Sequence, residues 1–275
     1  MPNLLQVWKQ WADAPPAPTE PQVLPADARV LQQLAQRVGV VHWTKWEQCA
    51  QGFRLWDSND CNLHTGLIPL PFVGDLQRAV VYVLLLNGGL SPTDYFGEFQ
   101  NPAFREKLLA NLRQDFSGTK YPFFPLDPEY SWHSGTTWWQ KKLKHVAKRL
   151  CELAPASEEV VREVLAQRVC AIEQLPYHSR NFGIPEDECA MIPSVQLACG
   201  FVQSLETQAL SGEKLIVAMR RMRSWGLSAD GKNILEFSAG QARGAHLSTA
   251  KDDAAGHRVV EVLLPYVRAH KRSKG

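Results

Sequence analysis

Asn87, Gly88 and Gly89 close an apolar run over residues 80–86, and Ser91 and Pro92 follow them. An amide at the end of a buried strand can hold a water or a ligand atom by a hydrogen bond without acting as a strong base. The two glycines remove Cβ bulk where a ligand or a second backbone must come close. Ser91 suits a helix N-cap and Pro92 the first helical position. The amide is therefore expected to face a helix N-terminus, where α/β proteins bind ligands. Three further apolar runs are also followed by polar, aromatic and basic groups. Tyr177, His178, Ser179, Arg180 and Phe182 come after the run at 169–174. Arg220, Arg221, Arg223 and Trp225 come after the run at 214–219. Ser238, Arg243, His246 and Leu247 come after the run at 233–237.

The elements that must position these groups follow from the alternation along the chain. Strands are expected at 79–86, 169–174, 214–219 and 233–237, with helices at 102–113, 137–150, 157–168, 194–208 and 252–268. Short apolar strands alternating with helices predict an α/β fold, a three-layer αβα arrangement around a central, mostly parallel four-stranded sheet. In such a sheet the carboxyl ends of the strands converge on one crevice. Leu4, Leu5, Trp8 and Trp11 have helical spacing, and a Pro-rich stretch after them reads as a stiff linker. Residues 1–25 are thus expected as a helix and linker, and 26–275 as a single domain. A helix is expected over 26–38, and the Trp-rich segment 41–71, which lacks periodicity, as a platform or loop region.

Composition bounds what this crevice serves. Of 275 residues 45% are apolar, enough for a core, and the net charge of +2 sets up no global field. No run approaches the roughly 20 apolar residues of a membrane helix, and the N-terminus lacks the pattern of a signal peptide. A soluble cytoplasmic protein with no membrane partner is expected. The six cysteines form no C-x-x-C pair, which favours reduced thiols over a zinc or iron–sulfur site. The Asn87 loop is followed by no G-K-[ST] and is not a G-x-G-x-x-G fingerprint, and there is no G-x-S-x-G elbow. His178 and Ser179 are adjacent, a poor arrangement for a Ser–His pair. Lys141, Lys142, Lys144, Lys148 and Arg149 read as a solvated helix face. Arg220, Arg221 and Arg223 beside Trp225 suit a nucleic-acid backbone with an unstacked base. The basic run 270–274 reads as a tail.

The arrangement resembles the uracil-DNA glycosylase superfamily, over roughly residues 67–268. It is most like the branches whose first motif reads G-[IM]-N-P-G, the mismatch-specific and single-strand-selective types. Leu85, Leu86, Asn87, Gly88 and Gly89 lie where that motif would, with Gly88 in place of Pro. The resemblance implies that Asn87 positions the attacking water. The family's middle strand carries a base-reading Asn, often within N-[HY]-C-P-L. Here that run reads Glu173, Gln174, Leu175, Pro176, Tyr177, which puts Glu173 in the base-reading position. The last motif, typically H-P-S-P, has no good copy: 237–241 lies in its place without the His or the prolines, and His246 is a loose substitute. The resemblance implies a monomeric DNA glycosylase needing no metal or cofactor.

In such a reaction positive charge gathers on the sugar and negative charge on the departing base. His178, Ser238 and His246 are the candidates to donate to that base. Gly88, Gly89, Glu173, Tyr177 and Phe182 are the candidate base-binding residues, and Arg220, Arg221, Arg223, Trp225, Arg243 and Leu247 the DNA-binding ones, the last two as wedge or gap fillers once the base is flipped out. Each aromatic taken singly suits a core better than a stacking role. An ionised Glu173 would accept from the exocyclic amine of cytosine and repel the carbonyl of uracil. That points to a modified cytosine, of the kind found in some phage DNA, and to anti-phage defence. A hydrolase of free nucleosides or nucleotides, or a non-catalytic DNA-binding module of the same fold, are the alternatives.

Overall fold

The computed structural model describes residues 3–53, 59–237, 244, 246–249 and 254–274. By internal contact the chain divides into two compact units, each drawn from three stretches. Met1–Phe72, Leu86–Asp115 and Glu173–Val202 make the first unit. Val73–Leu85, Phe116–Ile172 and Gln203–Gly275 make the second.

The fold is mixed α/β with a mostly parallel main sheet. Strands β1 (Val40–Val41) and β2 (Leu63–His64) form a small parallel pair. Strands β3 (Phe72–Val73), β4 (Val81–Asn87), β5 (Val169–Leu175), β6 (Leu215–Ala218) and β7 (Ile234–Glu236) form the main sheet in the order β3-β5-β4-β6-β7. The four expected strands are present within two residues of their predicted bounds. The sheet has five strands, not four, and its orientation is mixed. The added strand, β3, runs against β5: the Glu173 N–H donates to the Pro71 carbonyl at 2.9 Å, while a Cβ on Gly74 would stand 2.8 Å from the Val169 carbonyl oxygen. Parallel pairing joins β4 to β6, with Val81 opposite Leu215, and β6 to β7, with Ile216 opposite Ile234. All seven residues of β5 are buried, as an interior strand of a covered sheet requires. The strand order reverses at β4, whose last residue is Asn87.

In the first unit, α2 (Ala28–Val38), α8 (Glu186–Ala190) and α9 (Pro193–Ser204) contribute to one apolar cluster, α3 (Trp46–Gly52) and α4 (Pro92–Gln100) to a second, and α1 (Leu4–Asp13) packs on α5 (Pro102–Arg113). Local chemistry sets the helix starts. Ser91 and Asp94 form a reciprocal capping box ahead of Pro92, and Asn101 accepts from the Phe104 N–H at 3.0 Å. The Pro-rich stretch is more than a spacer. The Gln22 N–H donates to the Thr65 carbonyl at 2.7 Å, Trp11 Nε1 to the Val23 carbonyl at 3.1 Å, and Arg113 ties α1 to α5 through the Ala12 carbonyl.

In the second unit, α6 (Ser134–Leu153), α7 (Glu158–Arg168) and α11 (Ala254–Lys274) pack on one another. The ring of Phe123 meets that of Trp139 edge-on at 4.8 Å. The expected helix 194–208 is broken at Leu205: α9 ends at Ser204, and α10 (Glu206–Leu210), in the second unit, begins the next turn. The basic run 270–274, expected as a tail, continues the backbone of α11. No described helix is long and apolar enough to cross a membrane.

Candidate functional site

Asn87 ends β4 half-buried, and its amide is fixed from one side. Its Nδ2 donates to Ser179 Oγ at 2.7 Å and to the Gly88 carbonyl at 3.0 Å. Ser179 Oγ spends its own proton on the Asn181 carbonyl at 2.8 Å, so toward Asn87 it can only accept. That settles which end of the amide is which: the NH2 faces Ser179, and Oδ1 is left as an acceptor without a donor among the described residues. The anchor is itself held. Ser179 is 1% exposed, and both the backbone N–H and the Nδ2 of Asn181 donate to the Asp60 carbonyl.

His178 lies over Gly88. A methyl at Gly88 would stand 3.3 Å from His178 Nδ1, so glycine there makes room for the ring. His178 Nδ1 is 2.9 Å from the Gly89 carbonyl, an oxygen that only accepts, which places the proton on Nδ1. In the neutral ring Nε2 then carries a lone pair. A ring held this way presents Nε2 to a departing base, as an acceptor when neutral and as a donor when protonated. At Gly89 a Cβ would meet nothing within 4 Å. The expected help from the helix N-terminus is also largely taken up, because Ser91 and Asp94 cap α4 themselves.

The sequence reading missed His64. Its backbone N–H donates to the His178 carbonyl at 2.9 Å in an isolated antiparallel bridge, which sets the two side chains side by side on one face. His64 is 1% exposed, with Nδ1 at 2.9 Å from the Tyr95 hydroxyl and Nε2 without a partner. Two proton arrangements are open. If Nδ1 donates, the buried Tyr95 proton and the Nε2 lone pair are both left unmatched. If Tyr95 donates, only an Nε2–H remains unmatched. Each unmatched buried group costs about 1–3 kcal/mol, so the second arrangement wins and His64 presents an N–H donor. Burial lowers its pKa to about 4, so the ring is neutral at pH 7. Trp43 meets His64 edge-on at 5.0 Å, and Phe53, Tyr95 and Phe99 complete an aromatic wall. The only sequence signal was the density of aromatics in 41–71.

Glu173 sits near the end of β5, 6% exposed, with Oε2 unpartnered. Burial raises its pKa to about 8. At pH 7 it is mostly a neutral acid, with one donor and one acceptor. The expectation of an ionised carboxylate is therefore corrected, and the argument for cytosine over uracil goes with it. A neutral acid can pair with the acceptor–donor edge of cytosine or the donor–acceptor edge of uracil. A second buried carboxyl, Glu98, takes the Ile68 N–H at 3.0 Å and Arg105 at 3.1 Å, pinning the loop before β3.

Several expected contact residues are committed elsewhere. Tyr177 is 1% exposed within an apolar cluster. Its hydroxyl donates to Asp27 Oδ2 at 2.6 Å and accepts from the Leu24 N–H at 3.1 Å, so its ring is not a stacking platform. Phe182 packs against the same cluster. In the second unit Trp225 and Leu247 are fully buried, which removes them as stacking and wedge residues. Arg220, Arg221 and Arg223 are exposed, as a charged surface requires. His246 turns Nδ1 to the Lys141 carbonyl at 3.2 Å. Ser238 and Arg243 lie outside the described residues. The structure thus brings Asn87, Gly88, His178, Ser179 and the unforeseen His64 into one polar cluster of the first unit.

No family model matches the chain, and neither a curated protein nor a solved structure matches it.

Proposed function

We propose that the chain is a monofunctional DNA N-glycosylase of the uracil-DNA glycosylase type, with that type's three-layer αβα arrangement. Its substrate is a non-standard base flipped from DNA. The observation that carries this reading is the amide of Asn87, held by Ser179 so that a bare acceptor oxygen stands at the end of the strand where the sheet order reverses. An acceptor of that kind orients a water without deprotonating it, which suits attack on a sugar carbon already gaining positive charge. The bond between that carbon and the base breaks, and the electron pair leaves with the base. A neutral His64 Nε2–H can meet the negative charge on the base without having been charged itself. Glu173, neutral at pH 7, reads the base edge. Modified cytosine in phage DNA, and a role in defence, remain within this reading, and uracil joins the bases to be tested.

The test is abasic-site formation by the purified protein on genomic DNAs and oligonucleotides carrying uracil, cytosine and modified cytosines. Release of one base, lost in Asn87→Ala while DNA binding persists, supports the reading. Absence of abasic sites on every DNA would overturn it. The burial of Trp225 and Leu247 favours one second reading, a hydrolase of free nucleosides using the same amide. It predicts base release from nucleosides and none from DNA.

A further inference from the structure

We infer that the face of α6 carrying Trp138 and Lys142 is a binding surface for a single strand of nucleic acid, with the Lys142 ammonium taking a phosphate and Trp138 stacking an unpaired base. This surface lies within the second unit, and it does not depend on whether the first unit cleaves a glycosidic bond.

Lys142 is the unusual residue. It is 8% exposed, yet among the described residues no carboxylate pairs with it. Its Nζ donates to the Gly244 carbonyl and sits 4.8 Å above the Trp138 ring centre. Its electrostatic neighbours are cations, Lys141 and Arg220, and together with burial they lower its pKa. A buried ammonium among like charges is unfavourable unless an anion completes the site. The groups around it are polar and ready-made for one. Lys141, exposed on the same helix, and Arg220, exposed after β6, are the charges that act on it. The chain at 246–247 is fixed to this helix by the Leu247 N–H on the Lys142 carbonyl and by His246 on the Lys141 carbonyl.

Trp138 supplies what a plain basic patch lacks. It is 37% exposed, a large ring at the surface, and it is held edge-on against the buried Trp139 at 4.9 Å. Trp139 is in turn packed edge-on against Phe123. A rigid, part-exposed indole beside a buried ammonium is the pairing of features that binds single strands without sequence preference. A duplex offers phosphates but no free base face, so the aromatic selects for an unpaired stretch.

Binding of a fluorescent single-stranded DNA oligonucleotide, read by anisotropy across a salt series, tests this. Trp138→Ala is expected to weaken binding about fivefold to a hundredfold. Lys142→Met is expected to weaken it and to reduce the salt slope by about one phosphate contact, with Lys142→Arg retaining both. Lys232→Ala, an exposed lysine of the same unit, serves as the charge control. Quenching of indole fluorescence by the oligonucleotide is expected in the parent chain and is reduced in Trp138→Ala, which separates a stacking role from a folding defect. Unchanged affinity in Trp138→Ala, or an equal loss in Lys232→Ala and Lys142→Met, would overturn the inference. So would equal affinity for a blunt duplex. None of these readouts requires base release, so a chain that binds strands but forms no abasic sites rejects the glycosylase reading alone.

Discussion

Ser179 Oγ sits 2.7 Å from Asn87 Nδ2 and gives its own proton to the Asn181 carbonyl, so one hydroxyl sets the direction of one amide. Ser179→Ala removes the shortest bond to the Asn87 amide and leaves it only the longer ones, to the Gly88 carbonyl at 3.0 Å and the Ser179 carbonyl at 3.4 Å. A water held by Oδ1 then loses its fixed position. Under the glycosylase reading, the rate of base release is expected to fall about a hundredfold, the scale of a misplaced reacting group, with substrate affinity little changed. The loss of two buried hydrogen bonds is expected to lower stability by about 1–3 kcal/mol. Single-turnover kinetics beside a urea titration separate the two effects. A variant that is destabilised but fully active at low temperature would show that Ser179 serves only the fold.

His64 predicts a pH signature. Its folded pKa is lowered to about 4, against 6.5 for an ordinary histidine. Between these values the unfolded chain binds a proton that the folded one refuses, so stability rises with pH across that window and is lost as pH falls from about 6.5 to 4. His64→Gln should flatten this part of the stability–pH curve relative to the parent. It should also slow base release about a hundredfold, if the Nε2–H meets the departing base. A parent and variant with the same slope would show that His64 is not a buried neutral ring.

Much of this frame was legible in the sequence, and the reasons differ by element. Helix α5 was predicted at its observed bounds because Asn101 and Pro102 mark its start by local chemistry. The opening of α4 was readable from Ser91 and Pro92 for the same reason. Strand β3 was not, because two residues carry no periodicity and its pairing with β5 is a long-range contact. His64 was invisible because what defines it, the Tyr95 hydroxyl and the His178 carbonyl, comes from residues 31 and 114 positions away. Trp225 and Leu247 misled because they follow strands, where ligand-binding loops lie, while tertiary packing draws them inward. Asn87 was read correctly as a strand-end residue, but the direction of its amide depends on Ser179, far along the chain.

Glu173 links stability to pH with the opposite sign. Burial raises its folded pKa to about 8, against 4.5 unperturbed. Between these values the folded chain holds a proton that the unfolded one gives up, so stability falls as pH rises through the window. Glu173→Gln keeps the shape without the ionisation. It is expected to be more stable than the parent at pH 8, by up to a few kcal/mol, and nearly equal to it at pH 4. Thermal unfolding at both pH values checks this. The same variant tests base reading, since a fixed amide cannot exchange donor and acceptor as a neutral acid does. A shift in the ratio of bases released, with the rate on the favoured base retained, would place Glu173 against the base.

Tyr177→Phe separates packing from recognition. Removing the hydroxyl strips Asp27 and the Leu24 N–H of a buried partner. Asp27 also takes the Ser194 N–H at the start of α9 at 2.9 Å, so the loss reaches both the linker and that helix. Stability is expected to drop by about 1–3 kcal/mol, with base release and DNA affinity unchanged once the protein is folded. A stable Tyr177→Phe variant with a specific loss of DNA binding would restore the ring to the interface.

Gly88 and Gly89 predict different outcomes for the same substitution. A methyl at Gly88 stands 3.3–3.4 Å from the ring of His178, which must shift by a few tenths of an ångström or break its bond to the Gly89 carbonyl. Gly88→Ala is therefore expected to disturb the His178 ring in the free protein, visible as a moved His178 ring resonance. Gly89→Ala meets open space and is expected to leave stability and that resonance unchanged. Any loss of base release in Gly89→Ala then reports a substrate atom close to that Cα, because nothing in the free protein resists the methyl. Full activity in Gly89→Ala would mean that the substrate approaches the loop from the His178 side only, with Gly88 alone making room.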